Sequence, residues 1–132
     1  MEQRWGRLVG TWTLDDVTEF GDDGQVKGKP YGNRPTGQLM YAPDAHMAVV
    51  VSGHGSAPAA AYAGRVIVVD QDRVRHVIAV GLPPFTEDQE RFARLEDQGA
   101  RLVLATDGPG RARLELSWVR CPPTDPNAAI AS

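Results

Sequence analysis

One stretch decides the fold: Gly10-Thr11-Trp12-Thr13-Leu14-Asp15-Asp16-Val17-Thr18-Glu19-Phe20. Its side chains follow the two-residue period of a β-strand and not the 3.6-residue period of a helix. Side chains of a strand alternate between two faces, so Trp12, Leu14 and Phe20 share one face with Asp16 and Thr18. The Gly-Asp-Asp-Gly turn at 21–24 then ends the strand. Helical spacing is best at residues 2–9, where Trp5, Leu8 and Val9 recur at i, i+3 and i+4.

The rest of the chain repeats this strand pattern in short runs separated by 14 glycines and 10 prolines. The further predicted strands are 37–41, 46–52, 62–70, 73–82, 88–96, 101–106 and 111–120, whereas residues 25–36 are left unassigned. About eight strands at hairpin spacing with almost no helix favour a closed barrel or a sandwich. We therefore expect an all-β fold, a single antiparallel up-and-down barrel of about eight strands over residues 1–120, with a short N-terminal helical turn and a flexible tail at 121–132.

The interior of this barrel follows from the charge-free face of each strand. Its predicted members are mainly apolar: Trp12, Leu14, Leu39, Tyr41, Met47, Val49, Val51, Tyr62, Val66, Val68, Val74, His76, Ile78, Val80, Leu102, Leu104, Thr106, Leu114, Leu116 and Trp118. Loops at 25–36 and 53–60 are expected to border the mouth.

Composition narrows the class of partner. A chain of 132 residues holds one domain, and a net charge of -3 argues against nucleic acid, which usually needs a basic face. No stretch approaches the ~20 apolar residues of a membrane span, and the charged start lacks the apolar run of a secretory signal. Cys121 is the single cysteine, so a reducing, cytoplasmic location is expected.

Several of these segments resemble a known family. Gly10-Thr11-Trp12 is similar to the Gly-x-Trp signature of lipocalins, and Trp118-Val119-Arg120 to the matching end of their last strand. More narrowly, the series Leu8–Trp12, Tyr31-Gly32, Gly37–Tyr41 and Pro43–Met47 resembles bacterial and fungal lipocalin-like domain proteins over about residues 6–120. Asp16 and Ala45 depart from the family pattern. The resemblance implies a lipocalin- or calycin-like barrel in which Arg120 lies over Trp12. Most members of this family have no defined function, and some occur in natural-product pathways.

Three polar side chains could carry chemistry inside the barrel. His76 shares a face with Val74 and Ile78, so it is either a hydrogen-bonded core histidine or a ligand contact or general acid/base. Arg91 faces inward with Ala93 unless a bulge reverses the strand, and it would then need an acceptor. Asp16 is the candidate partner of either group, or it lies outward near the rim.

The expected ligand contacts are mostly apolar, with two tyrosines that also suit core packing. They are Leu14, Tyr41, Met47, Val49, Tyr62, Ile78, Leu104 and Leu116, while Trp12, Trp118 and Arg120 are expected to be structural. No histidine or cysteine spacing indicates a metal site, and no motif indicates a cofactor.

Two functions fit these residues. A structural protein whose barrel has a solid core is the third alternative. The first is a lipocalin-like module that binds a small hydrophobic metabolite. The second is a cofactor-free cyclase or isomerase for a polyketide- or terpenoid-like substrate, using His76, Arg91 and Asp16 in the same cavity. The expected partner is a small hydrophobic molecule. Neither a nucleic acid nor a membrane is expected as a partner, and the residues are compatible with a homodimer.

Overall fold

The fold is all-β: a closed antiparallel barrel of eight strands, one extra strand and a short helix at the N-terminus. The computed structural model describes residues 2–55, 59–106 and 113–128. Its elements are α1 (Glu2–Leu8), β1 (Gly10–Phe20), β2 (Val26–Gly28), β3 (Thr36–Tyr41), β4 (His46–Ser52), β5 (Ala59–Val68), β6 (Arg73–Gly81), β7 (Gln89–Glu96), β8 (Arg101–Ala105) and β9 (Arg113–Arg120). The predicted fold class is confirmed.

Closure comes from β1, which pairs with β3 at one edge and with β9 at the other. From β3 to β9 each strand pairs with the next in the chain, which is the up-and-down order. The short β2 pairs only with the end of β1, opposite Glu19 and Phe20, and is the strand outside the barrel. The prediction left this segment unassigned, because a three-residue strand within a Gly/Pro-rich stretch has too few residues to show a period.

One predicted interior position, Val80, is wrong because β6 contains a bulge. Ala63 of β5 pairs with Val80, but the next residue, Gly64, pairs with Ile78, so Ala79 is left without a partner. The extra residue reverses the alternation, and Val80 is 67% exposed instead of facing the interior. Gly64 permits this approach, since a Cβ on it would lie 1.9 Å from the carbonyl oxygen of Val77.

The barrel is closed at the end where α1 precedes β1. Trp12 is fully buried there, donates from Nε1 to the Leu8 carbonyl at 3.0 Å, and has the Arg120 guanidinium 4.1 Å from its ring centroid. Arg120 also donates to the carbonyls of Arg7, Val9 and Gly99. The Arg120 side chain thus joins the helix, the residue that precedes β1 and the turn between β7 and β8, which stabilises this end of the barrel.

Some predicted segments lie partly outside the described residues. These are the first two residues of the strand predicted at 111–120, part of the mouth loop at 53–60, and the last four residues of the tail. In the described part of the chain, no helix is long and apolar enough to cross a membrane.

Candidate functional site

The barrel contains a hollow of about 100 Å³. Its apolar lining comes from strands β3, β4, β5, β8 and β9, with Tyr31 and Phe85 contributed by loops. The strand residues are Leu39, Val49, Val51, Ala60, Leu104, Leu114, Leu116 and Trp118. Tyr62, His76, Arg91 and Thr106 complete the wall, and with Tyr31 and Trp118 they are the lining side chains that carry polar atoms. The site is therefore an apolar hollow with a few polar groups, which is the usual composition of a small-molecule pocket.

His76 is the centre of a buried hydrogen-bonded chain. The alternation of β6 places it inward between the outward Arg75 and Val77, and only 1% of its surface is exposed. Its Nε2 lies 2.6 Å from the Tyr41 hydroxyl, and its Nδ1 lies 2.7 Å from the Tyr62 hydroxyl. Both ring nitrogens are thus occupied by tyrosines, from β3 and β5.

Burial fixes the protonation states of this chain. Desolvation, the larger cause, and the positive charge of Arg91 together lower the pKa of His76 from 6.5 to about 3. Desolvation also raises the pKa of the Tyr41 and Tyr62 hydroxyls, an effect that Arg91 opposes. At neutral pH the imidazole is therefore neutral and both tyrosines keep their protons.

The direction of the two hydrogen bonds follows from burial. Tyr41 is 1% exposed, and among the described residues its hydroxyl has one hydrogen-bond partner, Nε2 of His76. If Tyr41 accepted this bond, its own hydrogen would be buried without an acceptor, at a cost of about 1–3 kcal/mol. Tyr41 therefore donates to Nε2, and Nδ1 carries the ring proton and donates to Tyr62. This leaves the hydroxyl hydrogen of Tyr62 free to point into the hollow.

Arg91 lines the hollow, as the inward alternative for β7 requires. Its guanidinium donates to the Glu90 carbonyl at 2.8 Å and to the Gln89 side chain at 3.2 Å. Phe92, the next residue, lies on the outer face and is partly exposed. No ion pair of Arg91 with a carboxylate occurs within the described residues, so its positive charge remains available to the hollow.

Asp16 does not lie in the barrel, which corrects its expected role beside His76. A bulge between Leu14 and Asp16 displaces it from the inward face, and its side chain is about one-third exposed. The carboxylate binds Lys29 and accepts a hydrogen bond from the backbone of Val17. Tyr41 and Tyr62, rather than an acid, hold the imidazole.

The predicted ligand contacts divide into two groups. Val49, Tyr62, Leu104 and Leu116 line the hollow, whereas Leu14, Tyr41, Met47 and Ile78 pack elsewhere in the core. The prediction omitted Tyr31 and Phe85, because both lie in loops where a strand period assigns no face. Phe85 stacks on Tyr62 with ring centroids 5.7 Å apart. Trp118, expected to be structural, also forms part of the wall.

Comparison with models of protein families and with curated proteins finds no match. The function is therefore inferred from the hollow itself.

Proposed function

We propose that the protein is a lipocalin-like binding protein that encloses a small, mainly apolar molecule in its barrel. The observation that carries the proposal is the hollow of about 100 Å³, walled by aliphatic and aromatic side chains around the buried His76–Tyr62 pair. Apolar walls supply affinity by removing the ligand from water, and a few fixed polar groups supply orientation.

The size of the hollow limits the ligand. Pockets for drug-sized molecules usually measure about 300–1,000 Å³, several times the volume found here. The enclosed part is therefore a single small ring or a short chain. A larger metabolite would have to extend through the mouth beside Tyr31 and Phe85, on which its exposed part could pack.

The hydrogen-bonded chain favours one alternative, a cofactor-free cyclase or isomerase acting on a polyketide- or terpenoid-like substrate. Neutral His76 and positively charged Arg91 could move a proton and polarise a carbonyl. A general base works best when its pKa is near the operating pH, however, and an imidazole with a pKa of about 3 is a weak base at neutral pH. Binding without chemistry is therefore the preferred function.

Filling the hollow should abolish binding, and toluene is a suitable probe because of its size and lack of charge. In the wild type, toluene should shift the methyl NMR signals of Val49, Leu104 and Leu116, and leave those of exposed Val119 unchanged. Ala60→Phe places a ring in the hollow, so we expect the toluene affinity to fall by at least about tenfold, or 1.4 kcal/mol.

The matched control is Ala61→Phe, one residue along β5 and on the outer face of the barrel, which should keep the wild-type affinity. Thermal unfolding of both variants verifies that each is folded. If toluene leaves the interior methyl signals of the wild type unchanged, the binding proposal is wrong.

A further inference from the structure

The hydrogen-bonded chain of Tyr41, His76 and Tyr62 has one polar hydrogen more than it has bonds. The two hydroxyls and the neutral imidazole carry one such hydrogen each, which makes three. Two hydrogen bonds join the three groups, and the described residues supply no other partner for either hydroxyl. One of the three hydrogens is therefore left without an acceptor inside the chain.

The free hydrogen belongs to one of the two hydroxyls at the ends of the chain, and these ends differ in access. Tyr41 is buried and is not among the residues that line the hollow, so a free hydrogen there would have no group to bind. Tyr62 and His76 both line the hollow, so the hydroxyl that joins them lies at its wall. A buried donor without a partner is costly, and the chain therefore leaves its free hydrogen at Tyr62.

The neighbours of Tyr62 hold its hydroxyl in a fixed position. The ring stacks on Phe85 with an angle of 27° between the two planes, and the hydroxyl oxygen lies 2.7 Å from Nδ1 of His76. Gly81 pairs with Tyr62 and leaves room for this stack, since a Cβ on Gly81 would lie 2.2 Å from the Phe85 carbonyl oxygen. A donor that is positioned before the ligand arrives loses little conformational entropy on binding.

We propose that the hollow binds a small apolar molecule that carries a neutral carbonyl group, with the Tyr62 hydroxyl donating to the carbonyl oxygen. This inference rests on the proposed binding function and specifies its ligand class. A carbonyl oxygen accepts a hydrogen bond and brings no polar hydrogen of its own, so the one free hydrogen of the chain is enough to satisfy it. A hydrocarbon of the same shape would leave that hydrogen buried without an acceptor.

The test compares two probes of the same shape, cyclohexanone and methylenecyclohexane, in which a CH₂ group replaces the carbonyl oxygen. Both should shift the methyl NMR signals of Val49, Leu104 and Leu116 in the wild type, and titration of these signals gives the two affinities. Tyr62→Phe removes the donor and keeps the ring. The ratio of the cyclohexanone affinity to the methylenecyclohexane affinity should therefore fall by at least about fivefold.

Methylenecyclohexane is the matched control, because a change in the shape of the hollow alters both affinities alike and leaves their ratio unchanged. Two spectra of the wild type do not depend on the variant being folded. The carbonyl carbon of bound ¹³C-labelled cyclohexanone should resonate downfield of its position in hexane, because its oxygen accepts a hydrogen bond. The ¹⁵N signals of the His76 ring, assigned through bonds from its backbone, should show the proton on Nδ1 and none on Nε2.

The carbonyl site and the binding function fail in different ways. The carbonyl site is wrong if methylenecyclohexane enters the hollow while cyclohexanone stays out, keeps its hexane-like carbon signal, or keeps its relative affinity in Tyr62→Phe. A proton on Nε2 of His76 would also overturn it, since Tyr62 would then donate to the ring. In each of these cases the apolar binding function stands. If neither probe shifts the interior methyl signals of the wild type, both are wrong.

Discussion

Acidification from pH 6.5 to pH 4.5 is expected to lower the free energy of unfolding by about 2–3 kcal/mol through His76 alone. The folded protein holds the imidazole neutral, with a pKa of about 3, whereas the unfolded chain has the ordinary value of 6.5. Below pH 6.5 the unfolded chain therefore binds a proton that the folded chain does not. The stability is fully present above pH 6.5 and is lost by about 1.4 kcal/mol per pH unit as the pH falls toward 3.

Urea unfolding at a series of pH values measures this slope. His76→Gln should be nearly flat between pH 6.5 and 4.5, whatever its absolute stability, because glutamine does not titrate. His54→Gln is the matched control, since the His54 side chain is exposed and makes no ion pair within the described residues, so the substitution should leave the slope intact. Hydrogen bonds lower the pKa of Asp44 and Asp70, so their contributions are lost only below about pH 4. A wild-type curve that is flat above pH 4.5 would mean that the imidazole is not buried as a neutral ring.

Trp12→Ala is expected to lower the free energy of unfolding by about 3–5 kcal/mol, the usual range for removing a buried tryptophan. Trp12 is fully buried at the closed end of the barrel. The substitution removes its hydrogen bond to Leu8 and the ring beneath the Arg120 guanidinium, together with the packing of a large side chain.

Two variants control for this change. Thr13→Ala alters the next residue on β1, which is exposed, and removes only its hydrogen bond with Cys121 Sγ at 2.9 Å, so it should lower the stability by no more than about 1.5 kcal/mol. Trp12→Phe keeps an aromatic ring under Arg120 and should lose distinctly less stability than Trp12→Ala. Urea unfolding at neutral pH compares all three. Equal losses for Trp12→Ala and Thr13→Ala would show that the closed end does not depend on this side chain.

Strand alternation was sufficient to predict the fold and the centre of the site. The period of two in 10–20 predicted β1 with its observed bounds, and the charged Arg73 and Arg75 showed that His76 faces inward. These predictions succeed because a charged side chain is costly to bury, so each strand has one face that can point inward.

Strand alternation could not predict the rest of the site, because it fails where the pairing between two strands is irregular. Bulges in β1 and β6 moved Asp16 and Val80 out of the interior, and a bulge depends on the partner strand as much as on its own sequence. Tyr31 and Phe85 lie in loops, which have no period. Predicting the pairing of His76 with Tyr41 and Tyr62 requires the register of three strand pairs, from β3 to β6. The lipocalin-like family assignment stays a prediction.

A crystal structure of the protein soaked with toluene would test the central claim most directly, namely that the barrel encloses a small apolar molecule. We expect electron density for the ring inside the barrel, against Leu104 and Leu116. A barrel interior closed by its own side chains, with no density for the probe at a concentration that saturates the protein in solution, would contradict the claim.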